Sequence, residues 1–246
     1  MDKIREKILE LVKEADPQNP MEYVDSIVRP YAREKLDSLM LCCQDCPTCK
    51  LADVRSITYG DSQASVMIIN EGIYSQQCES GEKIVYPLQG APEMWYMNRI
   101  IDAYHINRRQ LFWMNAVNCL TCSRVNGKNI ERTPNSHEAE YCRGYIDRAI
   151  EIIHPVLIIL LGNIPLSLFK RGQSIMQAHG QWIDIHGVMA MPVYSPHFLL
   201  QMKEDESNMP ELVKEYEIDF SEDLRKAFVY IQENFEGNVL LEPLEK

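Results

Sequence analysis

Long apolar runs are missing from this sequence of 246 residues: the longest, Val156 to Leu161, spans six, far short of the roughly 20 that a membrane helix needs. The opening Met1-Asp2-Lys3-Ile4-Arg5-Glu6 is charged at once and has no apolar stretch of the signal-peptide kind, so a cytosolic, non-membrane location is the expectation. No internal repeat and no low-complexity segment is present, which argues against a solenoid or a disordered chain. Positive charge is also short. Acidic residues outnumber basic ones 36 to 25, a net charge of −11, and the overall basic footprint of a nucleic-acid binder is absent from that total. Its distribution is uneven. Residues 200–246 hold 13 acids and five bases, whereas residues 99–148 hold eight bases against five acids. A basic patch on an acidic molecule is therefore compatible with the sequence, as are solvated helix faces.

What the chain has in excess is cysteine, eight in all: Cys42, Cys43, Cys46, Cys49, Cys78, Cys119, Cys122 and Cys142. In a reducing compartment such clustering points to metal or cluster ligation rather than to disulfides. Cys46-Pro-Thr-Cys49 is a tight chelating pair. With Cys119 and Cys142 it could hold a 4Fe–4S cluster; with Cys119-Leu-Thr-Cys122 as a second knuckle it could hold tetrahedral zinc. Spacing alone leaves both open.

Hydrophobic content of 46% with 25% charged residues suits a chain that buries a sizeable core. Helical periodicity marks residues 2–14 and about 20–40, Ala91–Tyr104, Ser136–Ile153 with a Ser cap, and one or two acidic helices over 208–235. Buried-type strands are expected at Ala64–Ile69, Leu111–Val117 and Val156–Leu161, with paired strands at Gln181–His186 and Val188–Val193. The alternation predicts a three-layer α/β/α sandwich around a mostly parallel sheet. The expected division is an N-terminal helical extension (1–41), the α/β domain (42–200) and an acidic C-terminal helical extension (201–246). Strand ends of such a sheet open onto one crevice, where ligands bind.

Several segments together carry a resemblance. Cys46-Pro-Thr-Cys49-Lys-Leu-Ala-Asp-Val-Arg55 resembles the C-x-x-C-x-L-x-x-x-R opening of the family-four, iron–sulfur uracil-DNA glycosylases. Asn115-Ala-Val-Asn-Cys119 is similar to that family's Asn-x-x-x-Cys, Cys142 to its fourth ligand, and Tyr194-Ser-Pro-His-Phe-Leu-Leu200 to its Tyr-His-Pro-x-x-Leu-Leu motif. His154-Pro-Val-Leu-Ile-Ile-Leu-Leu-Gly162 resembles its Pro-x-x-Ile-x-x-Leu-Gly strand, and Pro87-Leu-Gln-Gly90 its Pro-Phe-Val-Gly. The ordered set spans about residues 42–200.

The resemblance implies a uracil-DNA-glycosylase-like fold and a hydrolase that removes a flipped uracil-like or modified pyrimidine from DNA. It implies a structural 4Fe–4S cluster on Cys46, Cys49, Cys119 and Cys142, with a base-reading amide on Asn115. Glu71 and Ser195 become the catalytic candidates, and Tyr74 stands where related glycosylases crowd the base. Leu88 replaces a stacking phenylalanine; Tyr86, at the end of about four extra residues, is the candidate for the missing ring. The departures are Ser195 for the family's histidine and Gln77-Cys78 for a pair of acids. His197 could supply the missing imidazole, or be an ordinary surface histidine.

Two other readings stay open: a catalytically inactive module that binds nucleic acid, and a zinc-binding or redox α/β protein. DNA is the expected partner of a monomer, with the acidic tail as a surface for a protein partner.

Overall fold

A computed structural model describes residues 24–78, 81–125, 128–205, 207 and 209–234. The helix expected over residues 2–14 and the end of the acidic tail lie outside them. A π-helical turn, Val24–Val28, runs into helix α1 (Arg29–Leu41), with Pro30 in the first turn, where its missing N–H leaves no bond unmade. Then follow α2 (Pro47–Leu51), β1 (Arg55–Ser56), β2 (Val66–Asn70), β3 (Ile84–Val85), α3 (Met94–Ala103), β4 (Leu111–Asn115), β5 (Cys122–Val125) and β6 (Lys128–Glu131). The second half holds α4 (Ser136–Ile153), β7 (Leu157–Leu161), α5 (Asn163–Phe169), α6 (Ile175–Ala178), β8 (Ile183–Ile185), β9 (Val188–Val193), α7 (Pro196–Glu204) and α8 (Pro210–Asn234).

Five strands form the central sheet in the order β4-β2-β7-β9-β8; all neighbours are parallel except the β8–β9 hairpin. Every residue of β2, β4 and β7 is buried, as the continuous apolar runs require of strands covered on both faces. Each large apolar side chain hidden there contributes about 1.5–3 kcal/mol relative to exposure. Helix α1 packs on α4, and α4 on α5; α8 packs on α3, α7 and β9. The expected α/β sandwich with a mostly parallel sheet is what forms. Leu36 and Met40 of α1, and Phe220, Leu224, Phe228 and Ile231 of α8, lie in the same buried cluster as the sheet. Among the described residues this cluster is continuous across residues 41 and 200. The acidic segment over 210–234 is a single helix that turns one face inward.

Two local details differ from expectation. Helix α4 is capped by Asn135, not by a serine: the Asn135 side chain accepts from the Glu138 N–H at 2.9 Å and the Glu138 carboxylate accepts from the Asn135 N–H at 3.0 Å. The long segment between Cys119 and Cys142 contains an antiparallel pair of strands, β5–β6, in addition to the expected helix.

Candidate active site

The chain leaves β2, crosses outward to β4, then returns past β2 to β7, so the sheet reverses direction between β2 and β7. Crevices at such a reversal, beyond the carboxyl ends of the strands, are where open α/β sheets bind ligands. Asn70 and Asn115 end β2 and β4 in register. Glu71 follows β2, Gly162 follows β7, and Ser195 follows β9, capping α7 by accepting from the Phe198 N–H at 3.3 Å.

Glu71 is a buried carboxylate at the centre of this array. Burial raises its pKa; the Ser195 hydroxyl, the Ile164 N–H, the nearby His197 and the Asn163 N–H all pull the other way. Access to those two N–H groups depends on Gly162. Its φ is +93°, and a Cβ there would overlap the Glu71 carboxylate and come within 2.8 Å of the Ser195 Cβ.

The two strand-end asparagines are wired together. Asn70 Nδ2 donates to the Gly72 carbonyl at 2.9 Å and to Asn115 Oδ1 at 3.1 Å, while Asn115 Nδ2 donates to Ser56 Oγ at 2.9 Å. Tyr74 completes the chain, its hydroxyl 3.3 Å from Asn70 Oδ1. Burial, with Glu71 and Glu93 nearby, pushes the Tyr74 phenol well above the usual tyrosine range, so it remains a neutral donor. An amide oxygen has two lone pairs and an NH2 two protons, so Asn115 keeps one acceptor and one donor position beyond its protein partners.

Other candidates fall elsewhere. Tyr86 is 36% exposed, its ring 5.5 Å from Tyr59 in a cleft of about 810 Å³ that Arg33 and Trp113 also line. Leu88 is fully buried in the main core, with a left-handed φ of 57°. Gln77 has a structural task that an acid could not perform: its Nε2 donates to the carbonyls of Tyr86 (2.7 Å) and Gln89 (3.0 Å), tying the Pro87–Gly90 turn to the loop after β2. His197 is no free surface residue. It lies in the first turn of α7, its ring stacked 4.6 Å from that of Tyr74 and its Nδ1 2.8 Å from Glu93 Oε1. Glu93 is a site residue that sequence reasoning missed.

The cysteines form a second centre nearby. Cys46, Cys49 and Cys119 make one buried cluster, and Cys142 stands close enough for Cys46 and Cys49 to influence its ionisation. Burial pushes the Cys119 and Cys142 thiols up to about 12. Arg55 explains its place in the motif: it donates to the Cys49 carbonyl at 2.6 Å and approaches Cys119 Sγ at 3.6 Å. Cys43 joins the group unexpectedly, its Sγ 3.9 Å from Cys49 Sγ, whereas Cys122 sits in β5 beside Arg132. Among the described residues no three Cys, His, Asp or Glu side chains close on a single ion. Four soft, buried sulfurs, Cys46 and Cys49 at α2, Cys119 in the loop after β4 and Cys142 in α4, are the kind of donor set that an iron–sulfur cluster takes. A clamp joins these elements: Glu138, two bonds from Arg132, and Thr48 of the Cys46–Cys49 turn.

Several bases of the 99–148 stretch are engaged internally. Arg108 pairs with Asp102 at 2.6 Å, Arg132 with Glu138 at 2.6 Å, and Arg143 donates to the Leu168 carbonyl. Among the described residues no helix is long and apolar enough to cross a membrane.

The family model for the uracil DNA glycosylase superfamily matches residues 58–221, a span that takes in Cys119 and Cys142 and leaves Cys46 and Cys49 outside. The chain is similar to the type-4 uracil-DNA glycosylase of Thermotoga maritima, 26% identical over 183 residues, covering 72% of this chain and 89% of that protein. It is also similar to the type-4 uracil-DNA glycosylases of Saccharolobus solfataricus (28% over 164 residues; 61% and 70% covered) and Pyrobaculum aerophilum (29% over 131; 53% and 61%). With the matched span covering most of the sheet and all four strand-end positions of the crevice, the chain belongs to the uracil DNA glycosylase superfamily.

Proposed function

We propose that this protein is a DNA glycosylase that hydrolyses the N-glycosidic bond of uracil, or of a modified pyrimidine like it, after the nucleotide has flipped out of DNA. The observation that carries this reading is the buried Glu71 carboxylate, fixed by Ser195 and two N–H groups at the strand reversal and set beside the Asn70–Asn115 pair. Type-4 uracil-DNA glycosylases among its relatives support the substrate class. Asn115, with one donor and one acceptor position left, reads the pyrimidine edge, and the buried Tyr74 closes the base side of the pocket. Glu71 stabilises the sugar cation that develops as the base leaves. Ser195 has a single proton, and the carboxylate beside it is the stronger acceptor, so in the resting site that proton serves Glu71 before any base.

Cys46, Cys49, Cys119 and Cys142 would hold a 4Fe–4S cluster. When bound it supplies a covalent cross-link between α2, the loop after β4, and α4; the reaction needs no electron from it. Single-turnover release of base from a uracil-containing oligonucleotide tests the function. Release supports the catalytic reading, whereas tight DNA binding with no release of uracil or 5-substituted pyrimidines would assign the fold to binding alone.

A further inference from the structure

The outer edge of the central sheet carries the cleft of about 810 Å³ that the base pocket does not use. β4 is the last strand on its side, and Tyr59 closes that edge: its N–H donates to the Trp113 carbonyl at 2.9 Å, and its carbonyl accepts from the Trp113 N–H at 2.7 Å. Gly60 permits this approach, since at its φ of +115° a Cβ would collide with the Leu111 carbonyl oxygen. The cleft is thus built against a fixed strand, with Trp113 buried in its lining. Two aromatic rings in it meet solvent, Tyr59 at 46% and Tyr86 at 36% exposure. They are tilted by 59° to one another, so neither ring covers the face of the other. Arg33, Arg108 and Arg109 line the same cleft, against Asp61. Arg33 is held by Thr58 and the Gly60 carbonyl, and Arg108 by Asp102 and Asn98. Among the described residues the exposed Arg109 guanidinium has no hydrogen-bond or ion-pair partner. On a chain of net charge −11 this is a local attraction for anions.

We propose that this cleft is a strand-binding site, separate from the base pocket, for unpaired nucleotides that flank the flipped one. Their bases stack on Tyr59 and Tyr86, and Arg109 meets a phosphate. Exposed aromatic faces beside free guanidinium groups are what single-stranded nucleic acid requires, because its bases bare their π-faces and its backbone is anionic. A duplex hides those faces. An extended peptide would need a free strand edge, and the outward backbone groups of Trp113 are already taken by Tyr59. The cleft adjoins the base pocket through one side chain. Gln77 accepts from the Tyr74 N–H at 3.1 Å and donates to the Tyr86 carbonyl at 2.7 Å, so the loop after β2 and the Tyr86 side of the cleft are fixed together. DNA as the ligand rests on the glycosylase reading; Glu71 and Asn115 take no part in the cleft.

The test is binding of the full-length protein to a long, uracil-free oligothymidylate, followed by fluorescence anisotropy across salt, for wild type, Tyr59→Leu, Tyr59→Phe and Arg109→Ala. Single-turnover release from saturating uracil-containing single strand is measured alongside. Tyr59→Leu keeps apolar bulk without the ring and should weaken binding about 5- to 150-fold, the range for one stacked base. Tyr59→Phe should bind as wild type does. Arg109→Ala should reduce the slope of log affinity against log salt by about 0.7, the effect of one phosphate contact on a single strand. Release at saturation should be unchanged in Tyr59→Leu and Arg109→Ala. Wild-type affinity in Tyr59→Leu, or a wild-type slope in Arg109→Ala, would overturn the site. So would an equal loss on duplex DNA in Tyr59→Leu, since paired bases offer no face to stack. Displacement of the strand by micromolar thymidine monophosphate would make the cleft a mononucleotide pocket and overturn it too. Should Tyr59→Leu not fold, Tyr86→Leu must show the same loss. Base release by wild type with unweakened binding in the variants removes the cleft and leaves the glycosylase reading standing. No release from any DNA, with binding that still depends on the Tyr59 ring, does the reverse.

Discussion

Gly162 and Glu71 are fitted to one another: the glycine's missing side chain is the space the carboxylate occupies. The residue that ends the β7 strand motif is thus fixed by a residue that follows β2, across the reversal point of the sheet. Gly162→Ala should destabilise the fold by roughly 1–3 kcal/mol, from the left-handed backbone and the displaced acid together. Base release should fall much further than the fraction folded. Parallel thermal melts and single-turnover rates check this; a variant with normal activity would remove Glu71 from the centre of the site.

Glu71 also sets a pH dependence. Burial raises its pKa in the folded state above its ordinary value, so the folded protein binds more protons between the two. Its contribution to stability is therefore present in full below the ordinary glutamate range and is lost as pH rises through the raised value. Asp37 and Asp223 are raised by burial in the same sense, so the difference between wild type and Glu71→Gln isolates Glu71. Denaturant unfolding through the weakly acidic range should show a shallower decline for the variant. Equal slopes would mean that Glu71 is not desolvated.

Ser195→His should raise uracil excision by placing an imidazole where the resembling motif has one, at a cost of about 1 kcal/mol for the lost α7 cap. Rates compared at matched folded fraction provide the check. A further fall would mean that Glu71, Tyr74 and Gly162 leave no room for the ring.

For the cysteines, iron and acid-labile sulfide should be lost in Cys142→Ser and retained in Cys122→Ser. The first sulfur lies in the buried group and the second beside Arg132. Cys43→Ser is the informative control, since Cys43 Sγ lies 3.9 Å from Cys49 Sγ. Full iron content there, with loss in Cys119→Ser, supports the four-ligand assignment.

The sheet was legible because its strands are continuous apolar runs bounded by polar residues, and burial on both faces demands that pattern. Asn115, Glu71 and Ser195 were legible because strand-end positions are fixed once the strands are. The Asn135 cap could have been found: Glu138 stands three residues on, the spacing of a capping box, which Ser136 lacks. The β5–β6 hairpin had its own signal, Asn126-Gly127 between the two strands. Glu93 had none. A single acid between a proline and a methionine becomes a site residue only when α7 brings a histidine to it from 104 positions away. Tyr86, the candidate for the stacking ring, sits in a turn that Gln77 ties through the Tyr86 carbonyl, and its ring packs 5.5 Å from that of Tyr59.

The central claim is that the crevice of Asn115 and Glu71 removes a base from DNA. The most direct measurement is single-turnover base release by wild type and by Asn115→Ala, on uracil-containing and 5-substituted pyrimidine oligonucleotides, with DNA affinity measured in parallel. The wild type should release base. Asn115→Ala should release none detectably, since the flipped base would lose its edge partner while the unstacking cost of a few kcal/mol remained. Release that continues undiminished in Asn115→Ala, or no release by wild type from any of these DNAs, would contradict the claim.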